Sequence, residues 1–80
     1  MYVIQKFDGR GKLLFELETE ILSLAKLYAL HNATGKRQIF ITDAETGEVL
    51  YAIRGTGVNS FPEVLFDKTK EIIRKTAPTL

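Results

Sequence analysis

The sequence has no cysteine and only one histidine, His31. The absence of cysteine excludes disulfides, thiolate metal sites and a cysteine nucleophile. A single histidine does not form a zinc site, which needs several ligands at a defined spacing. A general base would be accompanied by a nucleophile, and the sequence offers no candidate nucleophile beside His31. We therefore expect His31 to cap a helix or pack at its edge. We predict no metal, no cofactor and no enzymatic activity.

Long apolar runs and a charge of one sign are also missing. The longest apolar segment, ILSLAKLYAL, is interrupted by Ser23 and Lys26, so no membrane span is expected. The segment MYVIQKFDG has no basic start followed by a long apolar run, so no signal peptide is expected either. The 11 Lys and Arg residues nearly balance the 10 Asp and Glu residues, which argues against bulk nucleic acid or an acidic membrane as a dominant partner. These features predict a soluble, cytoplasmic protein.

The length and the apolar content favour one small domain. Eighty residues, 45% of them apolar, predict a single domain over residues 1–80 with a thin core. Without a disulfide or a metal, such a core needs either very good packing or help from a second copy of the chain.

The first part of the chain predicts a hairpin and then a helix. YVIQKF and KLLFELE flank DGRG, and we place a three-residue loop at residues 9–11. This register pairs Phe7 with Leu13, Gln5 with Phe15 and Val3 with Leu17, and it places Ile4 on the other face. The helix is predicted from a cap at Thr19 to an end at Asn32 or Gly35. Its apolar face is predicted to carry Ile21, Leu24, Ala25 and Tyr28.

A second hairpin is predicted around the turn DAETGE, and both of its faces are apolar. One face is predicted to carry Ile39, Ile41, Leu50 and Ala52, and the other Phe40, Val49, Tyr51 and Ile53. An antiparallel sheet with one wet side alternates more cleanly. We therefore expect the second face to be covered, by the C-terminal segment or by another chain.

The last segment, about residues 61–76, is predicted to form a helix with Phe61, Leu65, Thr69 and Ile72 on its inner face. The fold class is therefore α+β, as ββα-ββα: two antiparallel hairpins form a small sheet packed by two helices. The similarity of FDGRGKLLFEL and TDAETGEVLYAI fits either an internal duplication or ordinary hairpin sequence, and we favour the latter.

The stretch RGTGVNSFPEV between the second hairpin and the last helix has two interpretations. Its glycines partly match a phosphate-binding loop, with Ser60 where glycine or alanine is expected, but the parallel βαβ context and a Gly-Lys-Ser/Thr sequence are missing. Alternatively, Ser60 and Glu63 form a capping box with Pro62 in the first helical turn. We favour the cap over an anion-binding loop at residues 55–60.

The acidic turn is interpreted as structural. Asp43, Glu45 and Glu48 are too few and too close in sequence for an EF-hand calcium loop, and Asp43 is expected to accept a hydrogen bond within its own turn. The tip DGRGK carries a net +1 and DAETGE a net −3. This contrast can steer a partner or orient a dimer, although two solvated hairpin tips explain it more simply.

Three functions remain open from the sequence. The leading hypothesis is a non-enzymatic protein-interaction or regulatory module that forms a homodimer through a sheet face or an open strand edge, with the binding face Phe40, Val49, Tyr51 and Ile53. The alternative is a nucleic-acid-binding protein with a basic patch of Lys36, Arg37, Arg54, Lys68, Lys70, Arg74 and Lys75. A third is a small enzyme or anion-binding domain centred on residues 55–60. Because Glu63, Asp67 and Glu71 lie among the last basic residues, a solvated, salt-bridged helix face is favoured over a nucleic-acid site.

Overall fold

The computed structural model describes residues 1–57 and 61–76, with side chains of the second range up to Ile72. In chain order the elements are β1 (Tyr2–Phe7), β2 (Leu13–Thr19), α1 (Leu22–Asn32), β3 (Gln38–Asp43), β4 (Val49–Arg54), β5 (Glu63–Asp67) and α2 (Thr69–Thr76). The strands form one antiparallel sheet in the order β2-β1-β3-β4-β5. The α+β class with a small sheet is therefore confirmed.

Helix α1 covers one side of this sheet. Its buried side chains Leu22, Ala25 and Ala29 pack on a cluster that the three central strands contribute. The cluster comprises Ile4, Ile39, Ile41, Leu50, Tyr51 and Ile53, each at most 3% exposed. Because Ala25 and Ala29 are fully buried and small, they bring the helix backbone close to the sheet.

Helix α2 lies on the same side as α1, where Ile72 packs against the same core. Its start is fixed by Asp67, whose Oδ1 accepts hydrogen bonds from the backbone N–H and the hydroxyl of the buried Thr69. The other carboxylate oxygen lies 3.2 Å from Nζ of Lys26 on α1. That ammonium group also lies 5.5 Å from the ring centre of Tyr51.

The predicted ββα-ββα arrangement is wrong, because a fifth strand occupies the first part of the predicted last helix. The segment EVLFD pairs with β4, placing Phe66 opposite Ala52 and Glu63 opposite Arg54. β4 is apolar on both faces, and this pairing removes it from the sheet edge, where its backbone and side chains would face water. The helix then begins at Thr69, and of the predicted inner face only Thr69 and Ile72 are helical.

Both predicted hairpin registers also need correction. In the first hairpin Phe7 does pair with Leu13, but an irregularity between Lys6 and Phe7 shifts the rest, so that Ile4 faces Leu17. In the second, Ile39 pairs with Ile53 and Ile41 pairs with Tyr51, with an irregularity before Thr42. A one-residue shift moves every later side chain to the other face of the sheet.

Candidate functional site

The predicted binding face of the second hairpin is not assembled. Tyr51 and Ile53 are 1% and 0% exposed beneath α1, opposite Ile41 and Ile39. Phe40 pairs with Ala52, and Val49 with Thr42, on the other face of the sheet. The prediction that these four residues share a face is therefore wrong, and their role in binding stays a prediction.

The face that carries Phe40, the open sheet face, mixes polar and apolar side chains. Three rows cross it: Glu18, Val3, Thr42 and Val49; Glu16, Gln5, Phe40, Ala52 and Phe66; Leu13, Phe7, Gln38, Arg54 and Glu63. The rings of Phe7 and Phe40 meet edge to face at 5.6 Å. Gln5 donates a hydrogen bond to Glu16, and Arg54 pairs with Glu63 at 2.8 Å. Such alternation is typical of a sheet face that contacts water.

The solvent side of α1 is different, because its centre is apolar. We name Ser23, Leu24, Leu27, Leu30 and His31 the α1 outer face, since helical geometry places them away from the buried Leu22, Ala25 and Ala29. Leu24 and Leu27 are 53% and 51% exposed. Lys26 is the one Lys, Arg, Asp or Glu residue of α1, and it is turned toward Asp67. His31 was expected to cap or pack at an edge, but it is exposed on this outer face.

The two glycines of RGTGVNSFPEV are explained by the backbone, Gly55 by close contact with another loop and Gly57 by its positive φ. Gly55 donates its N–H to the carbonyl of Arg37, and a Cβ at Gly55 would lie 2.3 Å from the carbonyl oxygen of Gly35. Gly57, with a φ of 126°, forms an isolated β-bridge with Gly35. The predicted capping box is wrong, because Glu63 begins a strand; Ser60 lies outside the described residues.

An open groove of about 470 Å³ lies beside these glycines, at one end of the sheet. We name it the basic groove. The turn before β2, the loop after α1 and the loop after β4 meet there, and its lining is Asp8, Gly9, Gly11, Lys36, Gln38, Arg54, Gly55 and Thr56. Lys36 and Arg54 of the predicted basic patch are thus brought together. Arg37 follows Lys36 in the same loop, and its hydrogen bond to Thr34 holds its side chain over that loop.

The single carboxylate in the groove lining is engaged by its own turn. Oδ1 of Asp8 accepts the backbone N–H of Arg10 at 2.8 Å and of Lys12 at 2.9 Å. These hydrogen bonds, that of Lys12 first, lower the pKa of Asp8 below its usual value. Arg10 and Lys12 lie in the same exposed turn. They add two cations at this end of the sheet that the sequence prediction left out.

Lys68 and Lys70 of the predicted basic patch do not line the groove. Nζ of Lys68 pairs with the carboxylate of Glu48 at the opposite end of the sheet, beside the acidic turn. Lys70 is exposed on α2, and the side chains of Arg74 and Lys75 lie outside the described set. The basic groove and the DAETGE turn thus occupy opposite ends of the strands. In that turn Oδ1 of Asp43 accepts the N–H of Glu45, as predicted.

Neither a metal-ligand cluster nor a membrane-spanning helix is found in residues 1–57 and 61–76. No group of three or more His, Asp or Glu side chains in this part of the chain could hold a metal ion. None of its helices is long and apolar enough to cross a membrane. No protein-family model, no curated protein and no solved structure matches the chain. The absence of enzymatic activity and the cytoplasmic location stay predictions.

Proposed function

We propose that this chain is a non-enzymatic protein-interaction module that forms a homodimer through the α1 outer face. The observation that carries the proposal is that α1 is apolar on its solvent side as well as on its core side. The contact surface therefore moves from the sheet face, which the sequence favoured, to the helix.

A helix at the surface of a domain normally has a charged side opposite its apolar stripe. The α1 outer face has instead three leucines, one serine and one histidine. Leu24, Leu27 and Leu30 are each 39–53% exposed. Leu17 and Ile21, at 42% and 53%, continue the apolar surface next to the start of the helix. Scattered exposed leucines are ordinary on protein surfaces, but a contiguous set marks an interaction surface.

The spacing of the outer residues suits a second copy of the same helix. Leu24, Leu27 and His31 follow the three-and-four spacing of a helix-pair seam. A two-fold axis across this seam makes the contact isologous, so that the same leucines are buried on both copies. The face carries no Lys, Arg, Asp or Glu with which to select a charged partner. Burial of further apolar surface in a dimer also adds stability that a chain of 80 residues needs, because its own core is small.

The test replaces one outer leucine with a charged residue and follows the solution mass. We expect the wild-type chain to be dimeric by light scattering, and Leu27→Lys to be largely monomeric. Burying a half-exposed leucine stabilises by about 1 kcal/mol. Each dimer loses two buried leucines, one from each copy, so the dissociation constant should rise by at least about 30-fold. Repulsion between the two lysines should raise it further.

The matched control is Leu13→Lys. Leu13 is 46% exposed, close to the 51% of Leu27, but it lies on the open sheet face beside Phe7. Circular dichroism should show both variants folded, and Leu13→Lys should remain dimeric. A monomeric wild-type chain at high concentration contradicts the proposal. The proposal is also contradicted if Leu13→Lys is monomeric while Leu27→Lys remains dimeric. That result would place the interface on the open sheet face.

A further inference from the structure

We propose that the basic groove binds single-stranded nucleic acid, with phosphates in the groove and a base stacked on Phe61. This site uses none of the residues of the α1 outer face. It retains Lys36 and Arg54 from the basic patch. It omits Arg37, whose side chain is held by Thr34, and Lys68, which pairs with Glu48 at the other end of the sheet.

The charge of the groove suits a phosphate chain. Lys36 and Arg54 line it, and Arg10 and Lys12 extend from the adjoining turn. Two carboxylates are also nearby: Asp8 stays anionic, since its hydrogen bonds to backbone N–H groups favour the charged form, and Glu63 pairs with Arg54. The four cations and these two carboxylates together carry a net charge of +2. Neutralising phosphates with Lys and Arg releases condensed counterions, which supplies most of the affinity for nucleic acid.

The groove also lets a backbone come close. Gly9 and Gly11 contribute no side chains to its lining and lie in an exposed turn, so a phosphate can approach the protein main chain there. Thr56 and Gln38 add a hydroxyl and an amide. Polar groups of this kind hydrogen-bond to phosphate and sugar, and such contacts carry no base preference.

Phe61 supplies the feature that favours nucleic acid over a small anion. Its side chain is 93% exposed. Its carbonyl accepts a hydrogen bond of 3.0 Å from the hydroxyl of Thr56, so its backbone is tied to a residue of the groove lining. An exposed aromatic ring next to a cation-lined groove is the arrangement on which unpaired bases stack. Bases inside a duplex are already stacked on each other, so the ring favours a single strand.

An acidic peptide, such as the DAETGE turn of a second copy, is the main competing ligand. It would be attracted to Lys36 and Arg54 by charge. It offers no planar base to Phe61, however. A contribution of the Phe61 ring to the affinity therefore indicates nucleic acid rather than an acidic peptide.

The experiment measures fluorescence anisotropy of a labelled single-stranded homopolymer of about 10 nucleotides, a length in the range of small single-strand sites. The whole chain is titrated at several salt concentrations. If two or three phosphates are contacted, the logarithm of the binding constant should fall against the logarithm of salt with a slope of about −1.4 to −2.1. Amide NMR signals of Gly9, Gly55 and Thr56 should shift on titration.

Three variants assign the site. Lys36→Ala should make the salt slope less steep by about 0.7, whereas Lys70→Ala, an exposed lysine on α2, should leave it unchanged. Phe61→Ala should weaken binding by about 5-fold or more without changing the slope. Because the Phe61 ring is almost fully exposed, its removal should not affect folding.

Several outcomes overturn the proposal. These are no binding at low salt, equal effects of Lys36→Ala and Lys70→Ala, or full affinity in Phe61→Ala. The last result would leave a site for simple anions or acidic peptides only. Repeating the titration with Leu27→Lys keeps this test separate from the dimer, because that variant should bind a short strand as the wild type does.

Discussion

Gly55→Ala tests whether Gly55 serves backbone packing. An alanine Cβ there would lie 2.3 Å from the carbonyl oxygen of Gly35 and 2.9 Å from that of Ala33. A real Cβ is essentially never found closer than 3.0 Å to such an atom, so one loop must move by most of an ångström. Overpacking of this kind costs about 1–3 kcal/mol. Weakening the hydrogen bond from Gly55 to the carbonyl of Arg37 adds about 1 kcal/mol.

The expected loss in the free energy of unfolding is therefore about 2–4 kcal/mol, which in a domain of this size lowers the Tm by about 10 °C or more. Thermal unfolding followed by circular dichroism measures it. Gly9→Ala is the control, because its Cβ would meet only Lys36 Cβ at 3.6 Å and the Lys36 carbonyl at 3.8 Å. It should change the Tm little. A Gly55→Ala protein as stable as Gly9→Ala would refute the packing explanation and reopen a ligand-binding role for this glycine.

Two further substitutions test the core and the start of α2. Ala29→Leu should lower the free energy of unfolding by about 1–3 kcal/mol in a urea titration, because Ala29 is fully buried between helix and sheet; an unchanged midpoint would show unfilled space there. Burial raises the pKa of Asp67, but the hydrogen bonds from Thr69 and the contact with Lys26 outweigh it and hold the pKa below the usual value. The carboxylate therefore stabilises the fold above about pH 4 and loses this contribution as the pH falls through the lowered pKa. The stability gap between wild type and Asp67→Asn should shrink from about pH 7 to about pH 3 in urea titrations, and a constant gap would contradict this role.

Local patterns predicted the elements better than their pairing. The DAETGE turn and its Asp43 hydrogen bond are confirmed, and α1 lies within its predicted bounds. The predicted cap at Thr19 is wrong, because Thr19 ends β2, and the predicted apolar face is wrong for Ile21 and Leu24, which are exposed. The last helix was extended too far, because Ser60, Pro62 and Glu63 resemble a helix start. The actual start signal is Asp67 followed by Thr69, whose hydrogen bonds fix the first turn.

The candidate sites depended on register, which the sequence could not supply. Single-residue irregularities next to Lys6 and Thr42 leave the alternation of apolar residues almost intact while exchanging the faces. Tyr51 and Ile53 were therefore predicted on the wrong side. The basic groove depends on three loops that meet only in the folded chain. The outer position of Leu24 also appeared only in the fold, since the sequence pattern assigned Leu24 to the core side of α1.

The two proposed activities rest on different forces, and this makes them separable. Contact between two α1 outer faces buries leucines and involves no Lys, Arg, Asp or Glu, so added salt should leave it intact. Binding in the basic groove depends on counterion release and should weaken steeply with salt. The groove lies at the end of the sheet where α1 ends, whereas the seam follows the length of the helix. If the helices pair antiparallel, the two grooves point to opposite ends of the dimer. Each copy would then hold its own strand, and dimer formation would not by itself raise the affinity for a short oligonucleotide.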